Sequence, residues 1–328
     1  MARRGIFLIP ALARSTQFCD VVPMTGTLQD KLKAGRFVLT AEVTPPVSID
    51  RSELIAKAAP LKGLADAVNV TDGAGARPHL GALTAAGMLV EAGIEPILQF
   101  VCRDRNRIAL QGDLLAAAAS GVRNLLMLRG DDPSAGDQPE AKPVFDVDAR
   151  QLLETARRLR DKSELPSGRK VSGRADFFLG AADNPIDPPA GWEPTALAAK
   201  VAAGAQFVQT QFCMDAGVVR RYLARLAEHG LAGKAYFLIG VAPLRSARSA
   251  RWMKERLFGT VIPDALIERM ERANDAAEEG HRICVEVIAE LSRIPQVAGV
   301  HIMAPNNDAA VADVIRAARA GLGRLAAG

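Results

Sequence analysis

The sequence predicts an α/β protein built as a single (β/α)8 barrel, and three observations carry that expectation. Short apolar runs of strand character alternate with longer stretches of helical period, the pattern of parallel strands joined by crossover helices. The alternation yields eight strand candidates, a number that closes most simply into a barrel. The chain has 328 residues, and barrels of this kind commonly use about 250 or more as one domain.

Taken in order, the opening stretch MARRGIFLIPALARS has a superficial likeness to a signal peptide. Pro10 and Arg14 interrupt its apolar run, and no convincing small-residue cleavage site follows. Residues 1–24 therefore read as a loosely ordered extension, with the barrel over 25–328. The first strand is FVLTAEV (37–43), leading to a helix over 51–61. ADAVNVT (65–71) leads to 80–91, PILQFVC (96–102) to 106–119, and NLLMLRG (124–130) to 148–161. DFFLGAA (176–182) leads to 194–203, and QFVQTQF (206–212) to 217–229. AYFLIGV (235–241) leads to 246–258 with 263–292, and GVHIMAP (299–305) to 309–320. Two long connections break the rhythm. DDPSAGDQPEAKPVFDV follows the fourth strand and so belongs to the C-terminal face, where barrel active sites form. DKSELPSGRKVSG follows a helix and belongs to the opposite face.

The composition, 49% hydrophobic, 5% aromatic and 24% charged, suits helices packed on a sheet. The net charge of +4 is scattered along the chain, without basic clusters interleaved with aromatics, which argues against nucleic-acid binding. No run reaches the roughly 18 apolar residues of a membrane helix. Cys19, Cys102, Cys213 and Cys284 form no C-x-x-C pair, so neither zinc nor a dithiol couple is expected, and a reducing cytoplasmic setting fits. His79, His229, His281 and His301 show no metal-ligand spacing, and each is expected to be structural. No G-x-S-x-G elbow or Walker loop occurs, which removes the commonest hydrolase and NTPase readings.

Catalytic groups in a barrel come from the C-terminal ends of its strands. There the sequence places Glu42, Thr71, Asp72, Gln99, Arg103, Arg129, Asp131, Asn184, Gln211 and Asp215. A lone strand-end polar residue often does no more than satisfy loop backbone. Convergence is the stronger signal: Glu42, Asp131 and Gln211, from strands one, four and six, face one mouth. Together they suit a polar heterocycle, with carboxylates recognising N–H groups and one acting as general acid. The glycine-rich turn Thr71-Asp72-Gly73-Ala74-Gly75-Ala76 offers backbone N–H groups to a phosphate or a flat ring, or is a plain turn.

At AEVTPP (41–46), NVTDGAGAR (69–77), LLMLRGDDP (125–133) and KVAAGAQFVQTQFCMD (200–215) the chain resembles the methylenetetrahydrofolate reductase family, over about residues 25–320. The resemblance implies an NADH- or NADPH-dependent oxidoreductase that reduces FAD and then passes a hydride to methylenetetrahydrofolate, a cytoplasmic step of one-carbon metabolism feeding methionine biosynthesis. It implies catalytic roles for Glu42, the acid that opens the methylene bridge to an iminium ion, and for Asp131, which contacts the pterin and tunes the flavin. Folate would meet Gln211, Asp131, Ser249 and Met253. The flavin would meet Thr71, Gln99, Leu128, Arg129, Gly130, Asp131, Asn184 and Lys200.

Several positions depart from the family pattern. Gln99 stands where a histidine is common, Asn184 where a tyrosine is, and Ala196 and Ala199 where polar or basic residues hold the flavin. Ser249 and Met253 replace a glutamine and a phenylalanine, and Asn307 replaces an arginine near the folate. FAD is accordingly expected to bind loosely. A pterin-dependent methyltransferase and a folate-binding subunit fed electrons by a partner are the competing readings. The sequence leaves a homo-oligomer open.

Overall fold

In the computed structural model, which describes residues 26–304 and 307–327, the chain enters through a helix that the strand count had not separated. Thr27 caps α1 (Leu28–Lys33) reciprocally: its hydroxyl accepts from Asp30 N at 3.3 Å, and the Asp30 carboxylate accepts from Thr27 N at 3.0 Å. Capping matters for so short a helix, because one turn alone does not repay its nucleation cost. The expected extension over 1–24, with Cys19, lies outside the described residues.

Eight strands follow: β1 (Val38–Val43), β2 (Ala67–Val70), β3 (Pro96–Val101), β4 (Asn124–Leu128), β5 (Phe178–Asp183), β6 (Phe207–Phe212), β7 (Tyr236–Val241) and β8 (Val297–Ile302). All neighbours pair parallel, and β8 pairs with β1, so the sheet closes as a (β/α)8 TIM barrel. Around it lie α2 (Arg51–Ala58), α3 (Ala82–Glu91), α4 (Arg107–Ala119), α5 (Ala149–Lys162), α6 (Thr195–Ala203) and α7 (Ala216–Glu228). α8 (Ala247–Arg256), α9 (Asp264–Glu271), α10 (Ala276–Leu291) and α11 (Asp308–Ala327) complete the ring. The stretch expected as one helix over 263–292 divides, because the Asp275 carboxylate accepts from Ala277 N and Glu278 N and starts α10 there.

Strand side chains alternate between two cores. Leu39, Ala41, Val43, Val68, Val70, Leu98 and Phe100 face outward to the helices. Val38, Ala67, Ile97, Leu126, Phe178, Phe207 and Leu238 face inward, and Leu28 and Leu32 of α1 plug this layer from below. Each plugging leucine is at most 2% exposed, which stabilises by about 1.5–3 kcal/mol apiece. The barrel is thus apolar at the bottom, and polar inward residues begin one layer higher. Among the described residues no helix is long and apolar enough to cross a membrane.

The two long connections fall on the faces predicted for them. Residues after β4 pack on the turn after β2, where Gly136 lies so close to the Ala76 carbonyl that any side chain at 136 would collide with it. On the opposite face Glu164 and Lys170 pair antiparallel within the α5–β5 connection.

Candidate active site

Glu42 is the last inward residue of β1. Its side chain is 24% exposed and lines a cleft of about 540 Å3 at the C-terminal mouth. Gln99, inward on β3, donates its amide to Glu42 Oε2 at 3.0 Å. His301, inward on β8 and 3% exposed, turns Nε2 toward the same oxygen at 3.6 Å. Among the described residues Oε1 has no hydrogen-bond partner. The carboxyl is therefore held from behind by one oxygen, leaving the other to the cleft.

Beneath it runs a hydrogen-bonded layer that the sequence reading missed. The Asn69 and Gln209 amides bond reciprocally at 2.7 and 3.0 Å, and Gln209 Nε2 also donates to Thr40 Oγ1 at 3.3 Å. The Thr40 hydroxyl donates to the Val300 carbonyl at 3.2 Å and lies 3.1 Å from His301 Nδ1. All four side chains are at most 3% exposed, so this polar layer is satisfied internally, as burial demands. The period-two alternation held the signal: Thr40 lies two residues before Glu42, Asn69 two before Thr71, and Gln209 two before Gln211. His301, expected to be structural, belongs to this buried layer and also lies beside Glu42. His79 fits its structural assignment, with Nε2 accepting from Gly73 N at 2.9 Å.

Asp131 is exposed, and its carboxylate accepts from Gly75 N at 2.9 Å. Gly75 lines the Glu42 cleft, so Asp131 and Glu42 belong to one mouth. Arg103 fastens the same two loops, donating to the carbonyls of Gly73 at 3.2 Å and Asp131 at 3.3 Å. Gly130 adopts φ 92°, and a side chain there would come within 3.0 Å of Arg103 Cβ and 3.1 Å of Val101 Cβ. The glycine of L-R-G-D is therefore required by backbone and packing alike.

Gln211 sits at an irregularity in the β6–β7 pairing. Here the Thr210 hydroxyl accepts from Gly240 N at 2.9 Å in place of a ladder bond, a local break of the kind that re-aims a side chain at an active site. Gln211 Oε1 accepts from Phe212 N at 3.0 Å and its amide donates to the Phe258 carbonyl at 3.2 Å.

Other expected residues lie elsewhere. Asp215 caps α7, accepting from Gly217 N and Val218 N. Asp72 pairs with Arg105 and accepts from Val101 N at 3.0 Å; burial pushes its carboxyl above the usual range despite that partner. Both are loop anchors. Ser249 completes the capping box of α8 with Ser246. Met253 is 6% exposed and belongs to the outer core, so it does not face the cleft. Its neighbour Trp252, 53% exposed, lines the cleft with Glu42 and Val47. Sequence reading missed Trp252 because helical period alone does not say which of two adjacent residues faces the mouth.

Of the expected flavin contacts, the Thr71 hydroxyl is buried without a partner among the described residues. An orphaned polar group at a barrel mouth is what a ligand would satisfy. Arg129 stacks its guanidinium on Phe145 at 4.6 Å, and Leu128 ends β4 half-buried. The Lys200 ammonium donates to the Ala182 carbonyl at 2.6 Å near Asp183, whose carboxyl is pushed up by burial. Asn184 packs against Gly259. The orphaned Thr71 hydroxyl is the feature of this group that a flavin could satisfy, and Ala196 and Ala199 on α6 carry no polar side chain to offer one. Among the described residues no cluster of His, Cys, Asp and Glu could hold a metal.

The family model of methylenetetrahydrofolate reductase matches residues 27–319. A Caenorhabditis elegans protein named probable methylenetetrahydrofolate reductase (NADPH) is 25% identical over 237 residues, 71% of this chain and 33% of that protein. Methylenetetrahydrofolate reductase 2 of Schizosaccharomyces pombe is 25% identical over 235 residues, 68% of this chain and 35% of that protein. The chain thus spans about a third of the length of these curated relatives. Among solved structures, a Clostridium thermocellum protein that binds two copies of 5-methyl-5,6,7,8-tetrahydrofolic acid superposes with TM-score 0.61 at 14% identity, over 89% of this chain and 97% of that one. At that identity the likeness shows the fold alone. The family match begins at the residue that caps α1 and ends within α11, taking in every strand end around Glu42, and the chain belongs to the methylenetetrahydrofolate reductase family.

Proposed function

We propose that the protein reduces 5,10-methylenetetrahydrofolate to 5-methyltetrahydrofolate with a hydride from NADH or NADPH, by way of a loosely held FAD. The observation that carries the reading is Glu42: a carboxyl anchored through one oxygen by Gln99, at the floor of a cleft of about 540 Å3. That volume lies within the range of small-molecule sites. The Clostridium thermocellum barrel, which binds methylated tetrahydrofolate, supports a reduced folate as ligand for this architecture.

Glu42 gives its proton to a bridging nitrogen of the folate. The carbon–nitrogen bond breaks with its electron pair going to that nitrogen, and the iminium carbon left behind accepts the hydride. The Asp131 carboxylate at the rim stabilises the developing positive charge. Trp252 supplies a flat apolar wall for an aromatic part of the ligand, and Gln211 orients the folate once its amide leaves the Phe258 carbonyl. FAD, when bound, supplies storage of the hydride between nicotinamide and folate. Thr71, Arg129, Gly130 and Lys200 would hold it. Each hydrogen bond to a charged group that Ala196 and Ala199 cannot make is worth about 1.5–3 kcal/mol, which is why binding is loose. The buried free thiols Cys102, Cys213 and Cys284 agree with a reducing cytoplasmic setting.

The test is anaerobic incubation of the purified protein with methylenetetrahydrofolate and NADH or NADPH, with and without added FAD, and chromatography of the folates. Formation of 5-methyltetrahydrofolate, stimulated by FAD, is the expected result. Product at full rate from flavin-free protein would transfer the hydride step to the nicotinamide itself. Folate binding without product points to a subunit that needs an electron-donating partner.

A further inference from the structure

We infer that His301 shares the acidic proton of Glu42, so that the proton donor of this site is a carboxyl–imidazole pair. The inference rests on the assignment of Glu42 as the acid. It starts from the hydrogen bonds around Thr40. The Thr40 hydroxyl has the Val300 carbonyl as an acceptor at 3.2 Å, and when it donates there its oxygen is left to accept. Gln209 Nε2 reaches that oxygen at 3.3 Å, its amide orientation set by the reciprocal bonds to Asn69. His301 Nδ1, at 3.1 Å, is the remaining neighbour. In that arrangement Nδ1 carries the proton and donates to Thr40 Oγ1.

That leaves Nε2 as the variable nitrogen, and it faces Glu42 Oε2 at 3.6 Å, slightly beyond hydrogen-bond length. A small carboxyl rotation closes the gap. With Nδ1 protonated, one further proton is distributed over the pair: on Glu42 beside a neutral ring, or on Nε2 beside a carboxylate. The two forms have the same net charge. When Glu42 releases a proton to the folate nitrogen, the pair becomes a carboxylate beside a neutral imidazole, and water restores the lost proton.

Among the described residues, those bonded to or paired beside them are Thr40 from β1, Asn69 from β2, Gln99 from β3, Gln209 from β6 and Gly240 from β7, none of which ionises. The charged and titratable groups higher in the cleft are Lys57, Arg77 and His79. Lys57 donates to the Thr44 carbonyl at 3.0 Å, and the His79 ring is held by Gly73 N and the Leu80 carbonyl.

A carboxyl alone loses its proton as the pH passes its own pKa, whereas a pair retains one until the imidazole also lets go. His301→Gln keeps a polar side chain but cannot hold the second proton. In the folate half-reaction it is expected to move the alkaline limb to lower pH, so that the loss relative to wild type grows across that limb to about tenfold or more. A folded His301→Gln protein whose limb coincides with wild type overturns the proposal, as does an equal loss at every pH. Should that variant not fold, ring-nitrogen NMR of Glu42→Gln decides. Loss of the neighbouring carboxyl should move the ring-nitrogen signals of His301 and their response to pH, and unmoved signals overturn the pairing. Failure of the acid assignment looks different: Glu42→Gln would then reduce folate at the wild-type rate.

Discussion

Replacing Gln209 with leucine tests whether the polar layer inside the barrel is as tightly coupled as its geometry requires. Gln209 is 3% exposed and Asn69 0%. Leucine removes three hydrogen bonds, two to Asn69 at 2.7 and 3.0 Å and one to Thr40 at 3.3 Å. Asn69 is then buried with its donor and its acceptor both stranded, at about 1–3 kcal/mol each, whereas added apolar surface returns part of that. The expected net loss is about 2–4 kcal/mol. Replacing both partners removes the stranded groups, so Asn69→Leu/Gln209→Leu should lose less than the sum of the two single variants. Urea unfolding followed by circular dichroism measures all three, provided the slope of each transition is unchanged. A loss below about 0.5 kcal/mol for Gln209→Leu, or strict additivity in the double variant, would refute the coupling.

Asp131→Asn keeps the bond to Gly75 N but removes the charge; folate reduction should fall by a factor on the order of 10–10². Titration of both ligands checks it, and unchanged folate affinity with unchanged flavin potential would reduce Asp131 to a loop anchor. Trp252→Ala should raise the folate KM by about tenfold with little change in Tm, because the ring is an exposed wall of the cleft rather than core; an unaltered KM would move the folate elsewhere. The Asp146 carboxyl is pulled from 3.8 to about 2 by hydrogen bonds from the Arg107 side chain and backbone N–H. Its folded value lies below its unfolded one, so the stabilisation is present above about pH 4 and fades as pH falls toward 2. Asp146→Asn should therefore flatten acid unfolding within that window, a change read from fluorescence-monitored pH titration.

Strands were the most legible part of the sequence, because parallel strands buried on both faces read as continuous apolar runs. α1 escaped, although Thr27 and Asp30 spell a capping box, because six residues are too few to show a period. At the site, Glu42 and Asp131 stood out as strand-end carboxylates. Asp72 and Asp215 stood out equally and proved to be anchors, since type and position cannot say whether a carboxylate meets backbone or solvent. The nearness of His301 to Glu42 across the β1–β8 seam, 259 residues apart by numbering, left no trace in the sequence. Barrel closure creates that contact, and no local pattern records it.

The central claim is that Glu42 donates the proton that opens the folate bridge, and single-turnover stopped flow of Glu42→Gln tests it most directly. The account predicts that reduction of bound FAD by NADH proceeds as in wild type, while transfer from reduced flavin to methylenetetrahydrofolate slows by a factor on the order of 10²–10⁴, a barrier increase of about 3–5 kcal/mol. Equal losses in both half-reactions, or a folate step at the wild-type rate, would contradict it.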